Sequence, residues 1–196
     1  QAFDHRDKLH KSFSGINKLI DIMGLREKGA ANLDERPVVF IGPYEHHSNE
    51  LPWRESCAEV VVIPLTPDGL LDCSKLEAEL VRFASRRLKI GSFSAASNVT
   101  GVKTDTRRVA SLLHAHGAVS LWDYAAAAPY VAIDMNPSDD SAAAKDAVFL
   151  SPHKLVGGPG TPGVLVVKRH LLTNAVPAMP GGGTVLYVNP TDHTFI

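Results

Sequence analysis

Short continuous apolar runs alternate along this chain with stretches in which apolar residues recur three and four positions apart. The first pattern is that of strands buried on both faces, the second that of helices with one buried stripe. Runs at 36–41, 58–63, 88–93, 118–122 and 147–150 predict strands, and 164–167 predicts one more. Between them, Ile16, Leu19, Ile20 and Met23 predict a helix stopped by Gly24. Leu76, Leu80 and Phe83 predict another, reaching about Ser85, with Ser74 to Glu77 as its capping box. Val109, Leu112 and Leu113 predict a third, capped by Thr104 or Asp105 and stopped by Gly117. Residues 1–14 read as polar and irregular, 50–55 as a helical turn, and 134–146 as a surface loop. A short helix near Leu171 precedes the glycines 181–183 and a polar tail. Strands alternating with helices imply an α/β fold, a mostly parallel sheet with helices on both faces.

In such sheets ligands bind outside the carboxyl ends of the strands. Polar chemistry gathers at those ends here. His46 follows the first strand, Asn98 the third, Asp123 the fourth, and Ser151, His153 and Lys154 the fifth, whereas the strand ending at Ile63 is followed by nothing comparable. A strand-end lysine can act as an amine nucleophile toward a carbonyl compound, most often as a Schiff base. Asp123, ending an apolar run, is costly to bury unless it meets solvent or a cation, and a protonated pyridine nitrogen is such a cation. Pyridoxal 5'-phosphate needs a lysine for its aldehyde, an acid for its ring nitrogen and donors for its phosphate. Ser151 and His153 can donate to a phosphate, His46 can stack on a ring, and Asn98 can bond a phenolic oxygen. Taken singly, each also has a plain structural use: a solvated turn for His46, a turn residue for Asn98, a helix cap for Asp123. The glycines after Lys154 are not a P-loop, because the lysine precedes them.

Composition narrows the class further. The 196 residues are 44% hydrophobic, enough for one sizeable core, and residues 1–196 read as a single domain. Twenty basic side chains against twenty-one acidic, without long runs of either sign, offer no footprint for nucleic acid or an anionic membrane. No apolar stretch approaches the roughly 20 residues of a membrane span. Two cysteines, Cys57 and Cys73, make neither a disulfide framework nor a zinc site, so a reducing, cytoplasmic location is expected. His114 and His116 stand two apart on a helix and cannot share a face. A small ligand fits this composition best.

Four segments resemble the class V aminotransferase family of fold-type I pyridoxal-phosphate enzymes, near the cysteine desulfurases and selenocysteine lyases. They are Glu45-His46-His47-Ser48-Asn49 with Pro52-Trp53, Ser97-Asn98-Val99-Thr100-Gly101, Trp122-Asp123-Tyr124-Ala125-Ala126, and Ser151-Pro152-His153-Lys154. The resemblance runs from about Ile16 to Thr184. It implies the family's large cofactor domain, with Lys154 as Schiff-base lysine, Asp123 as pyridinium partner and His46 as stacking ring. It further implies Asn98 on the phenolic oxygen and Ser151 with His153 on the phosphate. Gly183-Thr184 resembles the segment that reaches the phosphate of a partner subunit, which implies a homodimer. The implied activity is transferase or lyase chemistry on an amino acid.

Departures from the family pattern sharpen the expectation. Ala126 stands where the desulfurases carry a Gln or His on the ring oxygen. A Gly-Thr-Thr-like phosphate loop is not recognisable in residues 9–15, and neither cysteine lies where the desulfurases carry their reactive one. The domain is therefore expected to be incomplete at both ends, without the small C-terminal domain. The competing expectation is a non-catalytic relative that keeps the fold as a binding or dimerisation partner. A zinc hydrolase built on Glu45, His46 and His47 is a third, disfavoured because adjacent histidines in a turn lack the usual ligand spacing.

Overall fold

Each predicted apolar run becomes a strand of one six-stranded sheet in the structure, a computed structural model that describes residues 15–26, 35–177 and 180–196. In chain order these are β1 (Val38–Ile41), β2 (Glu59–Val62), β3 (Lys89–Ser94), β4 (Val119–Asp123), β5 (Ala147–Leu150) and β6 (Val164–Val167), in the spatial order β2-β1-β3-β4-β5-β6. The first five are parallel; β6 returns antiparallel, with Val148 opposite Val166.

Helices cover both faces, which is why β1 and β3 are buried at every position, apolar residues and the small polar Ser92 and Ser94 alike. On one face lie α1 (Gly15–Ile22) and α2 (His47–Arg54), where Ile16, Leu19, Ile20 and Trp53 pack against Val39, Ile41, Ile90, Leu121 and Phe149. On the other lie α3 (Cys73–Arg82) and α4 (Thr106–Ala115), where Leu76, Leu80, Val109 and Leu113 meet Val38, Phe40, Phe93, Trp122 and Val148. Alternate residues of each strand thus serve alternate cores. A Cβ on Gly91 would stand 2.4 Å from Leu113 Cδ1, so the bare backbone of β3 admits α4 at this depth.

Chain ends of the helices follow local chemistry. Gly24, at φ +66°, stops α1 as expected, and the Leu25 amide reaches back to the Ile20 carbonyl. Asp105 caps α4 through the Arg108 amide. At α3 the structure differs from the expected capping box. The cap is Asp72, whose Oδ1 accepts from the amides of Ser74 and Lys75 at 3.0 Å each, and a carboxylate so placed also favours the positive end of the helix.

Three further differences have physical causes. The turn expected at 50–55 is the body of α2, which starts earlier because His46 caps it. Residues 134–146 stay largely on the surface as far as Ala142, but Ala143, Ala144, Lys145 and Asp146 are buried where the chain passes α4 to enter β5. The tail expected to be polar contains a hairpin, β7 (Val185–Val188) with β8 (His193–Phe195), because the apolar run Val-Leu-Tyr-Val pairs across the turn with His-Thr-Phe. The residues 1–14, expected to be irregular, and most of 9–15, searched for a phosphate loop, lie outside the described residues.

Candidate active site

The strand order reverses between β1 and β3. The connection after β1 crosses by α2 to β2, and the one after β3 crosses by α4 to β4, leaving a crevice at the carboxyl ends where the paths diverge. A cavity of about 540 Å3 opens there. Its walls include His46, Asn98, Asp123, Ser151, His153 and Lys154, so side chains expected at four separate strand ends do meet in one place. Edge strand β2 contributes nothing to it.

Each wall residue is held by a local device. His46 sits in extended backbone as the cap of α2, its Nδ1 accepting from the Ser48 amide at 3.1 Å. An amide can only donate, so Nδ1 keeps its lone pair inward and the neutral ring carries its proton on Nε2. Asn98 is presented by a tight loop in which Ser97 Oγ accepts from the Val99 and Thr100 amides. Lys154 closes a 3-10 turn, Pro152–Lys154, that begins directly after β5. The turn is backed by Gly158, where a Cβ would fall 1.9 Å from the Pro152 carbonyl oxygen.

Asp123 is half-buried at the end of β4, with Oδ1 accepting from the Ala125 amide at 2.7 Å. Burial pushes its proton affinity above the usual carboxylate range; the Ala125 hydrogen bond and the charge of Lys154 only partly offset this. Among the described residues it has no ion-pair partner. A carboxyl in that condition suits a ligand that brings a cation, and the donors Ser151, His153 and Lys154 on the same cavity suit an anion. The residues present therefore fit pyridoxal phosphate, whose ring nitrogen and phosphate are those two groups.

Thr184 is elsewhere. It is half-buried at the start of the hairpin, closing a turn with Gly181 through its hydroxyl, and it does not line the cavity. Neither cysteine lines it, and burial raises both thiols above their usual value. Among the described residues no cluster of three His, Cys, Asp or Glu groups is placed to hold a metal, and no helix is long and apolar enough to cross a membrane. The sequence assigned no role to Ser94, which forms part of the wall, or to Asn49 behind it, and gave Glu45 only a disfavoured one as a zinc ligand. The spacing of Glu45 and Asn49, one helical turn apart at a helix start, was the available signal.

A mostly parallel sheet with this site at its switch point is the large-domain architecture of fold-type I pyridoxal-phosphate enzymes. The family profile described as Aminotransferase class-V matches residues 23–195, and the chain belongs to that family. Its members depend on pyridoxal phosphate. The chain is 33% identical over 171 residues to a probable cysteine desulfurase of Halalkalibacterium halodurans, covering 85% of this chain and 40% of that protein. It is 33% identical over 170 residues to a cysteine desulfurase of Klebsiella pneumoniae, covering 85% of this chain and 39% of the relative. Among solved structures, the cysteine desulfurase CsdA of Escherichia coli superposes with a TM-score of 0.66 at 27% identity, covering 93% of this chain and 44% of the other. A cysteine desulfurase of Thermococcus onnurineus shares the fold, with a TM-score of 0.71 at 22% identity over 95% of this chain and 44% of the other. The chain thus spans about 40% of the length of the curated relatives it matches.

Proposed function

We propose that this chain is the cofactor domain of a pyridoxal-phosphate enzyme that acts on an amino acid, by desulfurase-type lyase or transaminase chemistry. The observation that carries the reading is the convergence of Lys154, Asp123, His46 and Asn98 from different strand ends on one cavity. The names of the relatives favour removal of sulfur from cysteine. Since both thiols of this chain lie outside the cavity, that branch requires a sulfur acceptor from another segment or partner.

When bound, pyridoxal phosphate supplies a carbonyl for the substrate amine and a ring that withdraws electrons. Lys154 Nζ would provide the amine that anchors the cofactor and the base that moves the proton at the substrate α carbon. Asp123 holds the proton on the ring nitrogen, and its buried position strengthens that charge pair. His46 would cover the ring face and keep water from it, Asn98 would hold the phenolic oxygen, and Ser151 with His153 would grip the phosphate. Ala126 leaves space where relatives of desulfurase type carry a longer side chain.

A homodimer belongs to the proposal. Thr184 stands outside the cavity of its own chain, beside exposed Leu186, Tyr187 and Val188, an arrangement suited to serving a second copy. Light scattering of the purified protein, expected to report twice the chain mass, tests this.

Absorbance on titration with pyridoxal phosphate tests the cofactor reading. A visible band should form, vanish in Lys154→Ala, and yield the phosphopyridoxyl mass on Lys154 after borohydride reduction. A label spread over surface lysines, with no band that depends on Lys154, would refute it.

A further inference from the structure

Behind the cavity wall lies a carboxylate that the proposed chemistry does not use. Glu45 is 9% exposed, and four donors meet its two oxygens. Oε1 accepts from the Gly42 amide at 3.3 Å and the Ser94 amide at 3.1 Å, while Oε2 accepts from Asn49 Nδ2 at 2.7 Å and Ser94 Oγ at 2.6 Å. Asn49, fully buried, passes the network on: its Oδ1 accepts from Ser92 Oγ at 2.6 Å and its Nδ2 also donates to the Ser92 carbonyl at 3.2 Å. One side chain therefore ties together the turn after β1, the first turn of α2 and the last residue of β3.

Those three pieces carry the cavity. His46 caps α2, and Ser94 is the register partner of Asp123 across the β3–β4 ladder, where the Ala95 amide donates to the Asp123 carbonyl at 2.9 Å. Ser94 is pinned from its other side as well. Its carbonyl accepts from Thr104 Oγ1 at 2.7 Å, which leaves Tyr44 Oη to donate to that same hydroxyl at 3.0 Å. Burial, ahead of every other cause, and the charge of Asp123 raise Glu45 above the usual carboxylate range, against the pull of Ser94 and Asn49. An apolar residue of similar volume would avoid that penalty but could not take four donors at once.

We propose that Glu45 is the positioning residue of this cavity, fixing the His46-bearing start of α2 against the Ser94–Asp123 rung so that ring and carboxylate keep one spacing when a ligand enters. The proposal rests on the pyridoxal-phosphate reading only for the identity of that ligand. The clamp itself belongs to the cofactor-free chain.

The test uses Glu45→Gln, Glu45→Leu and the surface control Glu77→Gln, each checked for folding by far-ultraviolet circular dichroism. Glu45→Gln keeps one acceptor oxygen but turns an NH2 toward Asn49. Its affinity for pyridoxal phosphate should fall about tenfold, the worth of one hydrogen bond to a charged group. Glu45→Leu should lose more, together with the visible circular dichroism that reports a fixed cofactor ring. Wild-type affinity and visible dichroism in folded Glu45→Leu would overturn the proposal. If Glu45→Leu does not fold, Glu45→Gln carries the same test. In the cofactor-free protein, the 15N resonance of His46 Nδ1 should move in Glu45→Gln and stay in place in Glu77→Gln; an unmoved resonance in Glu45→Gln would count equally against the clamp. A wild type without a visible band whose His46 nevertheless responds would end the cofactor reading and leave the clamp standing.

Discussion

His114 Nε2 stands 2.9 Å from Asp146 Oδ2, and Nδ1 of the same ring stands 2.6 Å from the Ala142 carbonyl oxygen. A ring with an acceptor at each nitrogen is satisfied at both only as the imidazolium. This pair locks α4 to the entry of β5, at the end of the sheet opposite the cavity, and Lys168 and His170 face the other carboxylate oxygen at 3.6 and 3.5 Å.

The pair predicts a pH-dependent contribution to stability. The hydrogen bond to Asp146, above all, raises His114 over the usual imidazole range, despite burial. Burial alone would raise Asp146, but the bonds from His114 and the Ser120 amide outweigh it and hold the carboxyl low. The histidine's share is then complete below its unfolded value of about 6.5 and is lost as pH rises through the higher folded value. The aspartate's share is complete above about 3.9 and is lost as pH falls through its lower folded value. Urea midpoints should decline as pH rises above about 6.5, and His114→Ala should reduce that decline at a cost of about 1–2 kcal/mol at the lower pH.

Asp123→Asn should separate stability from function. Burial raises this carboxyl, so its folded form holds a proton more tightly than the unfolded chain does, and stability contributed at low pH is lost as pH rises through the folded value. Asparagine can keep the Ala125 hydrogen bond without a charge. The cofactor-free variant is expected to be about 1 kcal/mol more stable at neutral pH in urea melts, while its affinity for pyridoxal phosphate, read by absorbance, falls.

Gly158→Ala should disturb Lys154 without touching it. The added Cβ would fall on the Pro152 carbonyl oxygen, and backbone there cannot yield as a side chain would. We expect a cost of about 1–3 kcal/mol, seen as a lower thermal midpoint, and slower attachment of pyridoxal phosphate to Lys154 by mass spectrometry after borohydride reduction. Equal attachment rates would show that the turn carrying Lys154 does not depend on this packing.

Asp72→Ala and Ser74→Ala distinguish the observed cap of α3 from the one its sequence pattern suggests. The first should cost about 1 kcal/mol in urea denaturation and the second close to nothing. The reverse order would restore Ser74 as the cap.

The sequence by itself determined the six strands, their mostly parallel arrangement and the residues at their ends, because a strand buried on both faces is mostly apolar and its polar neighbours gather where burial stops. Val38–Ile41 and Ala147–Leu150 are legible for that reason. So is Lys154, which stands four residues past the end of such a run and just ahead of a glycine-rich turn. Only the tertiary structure decided what depends on distant partners. Glu45 became a clamp because Ser94, far along the chain, closes on it. Asp146 left its expected surface loop because His114 and the Ser120 amide receive its charge. The apolar run Val185–Val188 is legible as a strand, but its pairing with His193–Phe195 is decided by the turn that brings the two together. Hydrophobic period is a local property, whereas the partner that satisfies a buried polar group is chosen by the fold.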